Sequence, residues 1–199
     1  MASVLVTAFD PYAHFQANSS WLCLLELTRD MPVQPAIVTR RYPVEFSEVR
    51  ARLAKDLEAN HDFALHLGQA PGSARIRLES IAVNVGEEPA QPDGPPRRLA
   101  EDGPVAYQSA LPLRDWAARL REAGLPAAVS YHAGTYLCNA TLYWTHYLAE
   151  RGGLKTRSLF LHLPLDTQQA LSEPKECASL SATTAAAAVR IILKAMEEA

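Results

Sequence analysis

Residues 35–69 read PAIVTRRYPVEFSEVRARLAKDLEANHDFALHLGQ. The stretch opens on Pro35–Tyr42, short and rich in strand-favouring residues, which predicts a strand. From Val44 to Asn60 the period changes. Phe46, Val49, Leu53 and Leu57 recur every three or four residues and share one helical face. Phe63–Gln69 returns to a short, mostly apolar run, broken by His66, that closes on Gly68 and Gln69, the pattern of a buried strand. Strand, helix and strand in succession point to a parallel sheet with helices packed against it.

The same alternation continues outward. Ser3–Phe9 is a buried strand by its apolar content, and Asn18, Ser19 and Ser20 can cap a helix that runs through Trp21 to Arg29. Further on, Leu113–Ala123 is a helix stopped by Gly124, and Ala127–Tyr131 is a strand. Leu137–Glu150 is a helix stopped by Gly152 and Gly153, Arg157–Leu163 a strand ended by Pro164, and Ala182–Glu198 an alanine-rich closing helix. The predicted class is α/β, a three-layer α/β/α sandwich with a mostly parallel sheet, with residues 1–199 forming one catalytic domain. In such sheets sites gather at the carboxyl ends of strands.

Two segments break the regularity. In Arg75–Val85 the apolar residues Ile76 and Leu78 alternate in one phase and Ile81, Val83 and Val85 in the other, so a bulge or break is expected at Glu79. Gly86–Gly103 is polar and rich in proline, and is expected to be a long loop serving as an interface, a lid or a mobile connection.

Composition excludes several classes. Hydrophobic residues make up 48% and charged residues 21%, which suits a packed globular chain. A formal net charge of −3 gives no reason to expect nucleic acid or an anionic membrane as partner. No run approaches the length of a membrane span, and the N-terminus lacks a basic segment before its apolar run, so a cytoplasmic chain is the default expectation. The three cysteines, Cys23, Cys138 and Cys177, form no CxxC pair, so neither a zinc ribbon nor a dithiol redox motif is available, and no metal or cofactor is expected.

Cys138 stands out by position. It follows a Gly-Thr turn and sits near the start of a helix, where unpaired backbone N–H groups and the positive end of the helix dipole favour a thiolate. The same N–H groups suit an oxyanion. Cys23, between leucines, reads as core, and Cys177 as part of an exposed polar loop. Six histidines compete for the role of base. His162 ends a strand, His132 ends the strand before Cys138, His146 lies two turns into its helix, His66 lies inside a strand, and His14 and His61 lie in loops. Glu79 is an acid among apolar residues. Either it faces solvent, or it is buried with a partner such as a histidine that it would orient.

These stretches also resemble a known family. Gly68–Asn84, Ala133–Asn139 and Phe160–Pro164 are similar to the three catalytic blocks of pyroglutamyl peptidase I, also called pyrrolidone carboxyl peptidase. The resemblance implies a cysteine omega-peptidase with Cys138 as nucleophile, His162 as base and Glu79 as the third member of a triad. It implies hydrolysis of the amide bond after an N-terminal pyroglutamate in small peptides, through a thioester acyl-enzyme. It also implies a homo-oligomer, often a tetramer, and a lactam pocket holding Phe9, Tyr12, Gln69, Tyr136 and Leu137. The first block departs from the family. Where Gly-Phe-(Asp/Glu)-Pro-Phe-Gly-Gly is usual, residues 8–14 read AFDPYAH. Lost glycines change a turn or a close backbone approach, so Ala13 and His14 are expected to alter the loop or the pocket mouth. Pro89 stands near the place where the family carries a basic residue. An intact triad beside an altered pocket leaves two alternatives open, a related cysteine amidase with changed acyl specificity and a non-catalytic binding homologue.

Overall fold

The computed structural model describes residues 2–88 and 94–199. Pro89 and the neighbouring part of the proline-rich segment lie outside the described residues. The elements follow in the order β1 (Ser3–Phe9), α1 (Ser19–Arg29), β2 (Ala36–Tyr42), α2 (Phe46–Leu57), β3 (Phe63–Gln69), β4 (Ile76–Glu79), β5 (Ile81–Val83), β6 (Ala106–Gln108), α3 (Leu113–Glu122), β7 (Ala127–Ser130), α4 (Leu137–Gly152), β8 (Arg157–Leu163), α5 (Thr167–Ala170) and α6 (Ala182–Glu197).

Six strands form one sheet in the order β2-β1-β3-β8-β4-β7. The first four run parallel. β4 enters antiparallel to β8, and β7 runs parallel to β4. The three-layer class follows from side-chain parity. Val4, Val6, Leu65, Leu67, Ile76, Leu78, Leu159 and Leu161 pack with α1, α3 and α6 on one face. Leu5, Phe9, Tyr42 and Phe160 pack with α2 and α4 on the other. Alternate residues of a strand point to opposite faces, so the central strands β1, β3 and β8 are buried along almost their whole length and are mostly apolar because both faces are covered.

The caps explain where helices begin. The Asn18 carboxamide accepts from the Ser20 N–H, the Glu45 carboxylate from Ser47 and Glu48, and the Ser181 hydroxyl from Thr184. α4 differs, because Tyr136 at its N-cap supplies no side-chain acceptor. Gly153 ends that helix in the left-handed conformation that glycine adopts without penalty.

The phase change near Glu79 marks a change of sheet. β4 ends at Glu79, and β5 pairs instead with β6 in a separate two-stranded sheet. Asn139 holds that small sheet to α4. Its amide donates to the Val83 and Val85 carbonyls (2.9 Å each) and its oxygen accepts from the Val83 N–H (2.8 Å).

The described part of Gly86–Gly103 is pinned to the body of the protein. Gly86 and Arg97 exchange backbone hydrogen bonds, the Asn84 side chain bonds Leu99 and Ala100, and the Trp144 indole donates to the Leu99 carbonyl. Leu99 and Ala100 are buried. Cys177, expected to be exposed, is half-buried, whereas Cys23 lies wholly in the core.

Candidate active site

The sheet register sets the site. One row across the sheet reads Thr7, His66, Phe160, Glu79, Ser130, and the next reads Gly68, His162, Arg77, Ala128. Both rows face α2 and α4. Because β4 runs against β8, Glu79 lies one row below His162 rather than at the rim. It therefore reaches His162 diagonally from beneath. The Glu79 carboxylate is completely buried, and its Oε1 lies 2.8 Å from His162 Nδ1. Oε2 has no partner among the described residues, so Oε1 carries the one hydrogen bond assigned to the group. That bond fixes the imidazole so that its other nitrogen is free to face the thiol.

Cys138 is the second residue of α4, half-buried beside His162. Its sulfur occupies space that Gly68 leaves open. A Cβ built on Gly68 would lie 3.0 Å from Cys138 Sγ and 2.5 Å from Phe160 Cζ. Burial pushes the His162 pKa down. The charge and hydrogen bond of Cys138, then the hydrogen bond and charge of Glu79, outweigh burial and lift it to about 9. The first intrahelical bond of α4 runs from Ala140 N–H to the Tyr136 carbonyl. The N–H groups of Leu137, Cys138 and Asn139 precede it and have no side-chain cap, so the helix start offers uncapped donors beside the sulfur.

That space is a cavity of about 210 Å³. Phe9, Tyr12, Val44 and Leu137 line its apolar part, while Asn18, Gln69 and Tyr136 add polar groups. Gln69 is oriented by its neighbours. Its Oε1 accepts from the Ser19 N–H and from Gln169 Nε2 at 2.8 Å each. Its Nε2 is buried and faces the Tyr12 hydroxyl, but makes no hydrogen bond of ordinary length among the described residues. A buried unsatisfied donor beside a cavity is a group prepared for a ligand acceptor. Tyr12 is held as a neutral phenol. Burial and the nearby Cys138 charge raise it to about 12, against an opposing contact with Gln69.

The eight residues singled out in the sequence converge on this one place, on Cys138, His162 and the cavity beside them. The other histidines do not. His66 is buried between the hydroxyls of Thr7 (2.8 Å) and Thr145 (2.9 Å). His132 is exposed, and His146 stacks on Tyr107. His14, expected to alter the loop or the pocket mouth, lies on the loop and does not line the cavity. It is exposed and pairs with Glu173 at 3.1 Å, while its ring stacks on Phe15, which in turn packs on Tyr12. Ala13 holds a positive φ of 53°, so the loop keeps the glycine-like turn with an alanine in it. Gly68 and Asn139 carry roles the sequence reading did not assign. Their signal lies in tertiary packing, since neither has a local pattern. Among the described residues no group of three metal-ligating side chains is present, and no helix is long and apolar enough to cross a membrane.

Comparison with known proteins identifies a family and a fold. The family model for pyroglutamyl peptidase matches residues 2–199. A pyrrolidone-carboxylate peptidase of Bacillus licheniformis is 32% identical over 98% of this chain and 93% of its own length. One from Chromobacterium violaceum is 36% identical over 87% and 83%. Among solved structures, the pyrrolidone carboxyl peptidase of Fervidobacterium islandicum superposes with a TM-score of 0.93 at 31% identity, covering 100% of this chain and 99% of that one. The pyroglutamyl peptidase I of Bacillus amyloliquefaciens gives 0.91 at 29% identity, covering 100% and 98%.

Proposed function

The chain belongs to the pyroglutamyl peptidase family, and from that premise we propose that residues 1–199 act as one catalytic domain that removes N-terminal pyroglutamate from small peptides, with Cys138, His162 and Glu79 as its triad. His162 takes the proton of the Cys138 thiol, and Glu79 holds the resulting imidazolium through Nδ1. The thiolate adds to the pyroglutamyl carbonyl, and the N–H groups at the start of α4 hold the oxyanion. His162 returns its proton to the leaving amine as the C–N bond breaks, leaving a thioester. Water then attacks the thioester with His162 as base, releasing free pyroglutamate and the thiol.

The observation that carries this reading is the buried Glu79–His162 contact beside a half-buried cysteine at an uncapped helix start. The cavity fits the acyl group. A lactam is neutral and compact, with one N–H and one C=O. Phe9 and Leu137 offer apolar walls, and the buried Gln69 Nε2 is a donor for the lactam oxygen.

The test is hydrolysis of a pyroglutamyl amide with a fluorescent leaving group, comparing the wild type with Cys138→Ala. Thiol-dependent turnover that disappears in Cys138→Ala supports the reading. A folded, reduced protein that turns over no pyroglutamyl substrate refutes it. Activity confined to other short N-acyl amides would assign a cysteine amidase of altered acyl specificity, the alternative that Tyr12 and the strained Ala13 favour.

A further inference from the structure

The row that carries His162 does not stop at the triad. Arg77 lies directly across from His162 in the β4–β8 register, on the same face, one strand further from the acyl cavity. The cavity walls Phe9, Tyr12 and Gln69 come from β1, its following loop and β3, all on the opposite side of His162. A substrate with its acyl group in that cavity and its carbonyl at Cys138 must send its leaving side toward His162, which protonates the amine. Continuing the same way, it next meets Arg77.

Arg77 is the second residue of β4, Arg75 lies just ahead of the strand, and both line one hollow. Both are exposed, and neither guanidinium has a salt bridge or hydrogen bond among the described residues. The nearest acid along the strand, Glu79, is fully buried and committed to His162. Ser73, Arg75, Arg77, Ala128, Ser130 and Tyr131 line an open hollow of about 450 Å³ at this edge. Two like charges lining one hollow, with no salt bridge among the described residues, in a chain of net charge −3, form a local site for an anion. A guanidinium suits a carboxylate because its planar fork matches the two oxygens. An arginine side chain extends roughly 6 Å from its Cα, and neighbouring strands stand about 4.8 Å apart. Arg77, on the strand next to His162, can therefore reach across that spacing toward a group held at His162.

We infer that Arg77, assisted by Arg75, is a specificity determinant on the leaving side, and that it favours substrates with a carboxylate next to the scissile bond. The carboxylate belongs either to the C-terminus of a pyroglutamyl dipeptide or to an acidic side chain at the first position of a longer peptide. The inference rests on the proposed pyroglutamyl-peptide activity.

The experiment compares kcat/KM for pyroglutamyl-alanine with that for pyroglutamyl-alanine amide, and for pyroglutamyl-glutamyl amide with that for pyroglutamyl-glutaminyl amide. Wild-type enzyme is expected to favour the charged member of at least one pair by about 3- to 10-fold, mostly through KM, with the preference declining as salt is raised. The pair that shows it identifies the source of the carboxylate. In Arg77→Gln the ratio should fall to near one. In Arg77→Glu it should invert, and in Arg77→Lys part of it should survive. Circular dichroism and thermal melts of each variant establish that it is folded. Ratios that are the same in wild type, Arg77→Gln and Arg77→Glu overturn the inference and leave the peptidase reading standing. If wild-type protein hydrolyses none of these substrates, nor a neutral pyroglutamyl aryl amide, the peptidase reading fails and this inference fails with it.

Discussion

Gly68→Ala tests whether packing places the nucleophile. The added Cβ would meet Phe160 Cζ at 2.5 Å, Phe160 Cε1 at 2.6 Å and Cys138 Sγ at 3.0 Å. The Phe160 ring has little room to yield. It sits between Phe9 and His66 at centroid distances of 6.3 and 6.2 Å, and it touches the His162 ring at 4.8 Å. Relief must therefore displace either the thiol or the imidazole. Overpacking of this kind costs about 1–3 kcal/mol. The lower chain entropy of unfolded alanine recovers about 0.4–1 kcal/mol. A net loss of about 1–2 kcal/mol lowers Tm by roughly 2–8 °C in a domain of this size. The kinetic effect should be larger, since a displacement approaching 1 Å at the reacting atoms costs about 100-fold in rate. Gly86→Ala is the control. Its Cβ would meet Leu99 Cδ2 at 2.8 Å, a comparable clash away from the triad. Thermal melts and kcat/KM on a pyroglutamyl aryl amide separate the two effects. Both variants should melt lower, and only Gly68→Ala should lose about two orders of magnitude in kcat/KM. A folded Gly68→Ala protein within threefold of wild-type kcat/KM would refute the idea that this missing Cβ positions the thiol.

Glu79→Gln removes the carboxylate charge that raises His162 and leaves at most a neutral hydrogen bond in its place, so the alkaline limb of the pH–kcat/KM profile should move from near pH 9 to lower pH, with a smaller loss of turnover than in Cys138→Ala or His162→Ala. An unmoved limb would detach Glu79 from the imidazole. His66 is lowered to about 3, by burial first and then by the charge of His146. Its folded pKa lies below the unfolded value of about 6.5, so its contribution is complete above that pH and is lost as pH falls. Linkage puts the loss from His66 at about 3 kcal/mol between pH 7 and pH 4. Urea titrations at both pH values should show a smaller pH dependence in His66→Gln. Ala13→Gly should raise Tm slightly, because the left-handed turn costs alanine about 1–2 kcal/mol while added glycine entropy in the unfolded chain returns about 0.4–1 kcal/mol. A lower Tm would show that Ala13 bears no strain. Replacing Tyr12 by Phe and His14 by Gly together should raise pyroglutamyl turnover. Unchanged kinetics would remove the loop from the account of specificity.

Most of the fold was legible because hydrophobic period reports burial. β3 is buried at every position, because α1 and α6 cover one face and α4 the other, and its bounds match the sequence reading. The starts at Leu113, Leu137 and Ala182 agree with the sequence reading, and other helix ends differ by one to three residues, as at α2, where Glu45 caps from outside the apolar pattern. Direction was not legible. Periodicity is the same for a strand read either way, so the antiparallel entry of β4 could be learned only from its pairing. β6 and α5 escaped notice for a simpler reason, having three and four residues, less than either pattern needs. Glu79 was visible as an acid in an apolar run. That it lies beneath His162 instead of at a strand end depends on the reversed β4.

The division of labour in the site explains how its chemistry and its specificity can change separately. Cys138 is fixed by the start of a sixteen-residue helix whose Asn139 is bonded three times to the β5 segment. His162 and Glu79 are fixed by adjacent strands in the middle of a sheet. None of these positions depends on the loop from Asp10 to Asn18. Tyr12 reaches the cavity from that loop, and His14 holds the loop from outside through Glu173. A substitution there alters walls and access while the 2.8 Å contact between His162 and Glu79 stays in the core. Residues 8–14 should therefore govern chiefly which acyl group enters, and Arg77, across the triad, which peptide leaves. A change in KM for one substrate class with kcat preserved is the kinetic form such divergence takes, whereas damage to Gly68, Asn139 or Glu79 should lower kcat for every substrate alike.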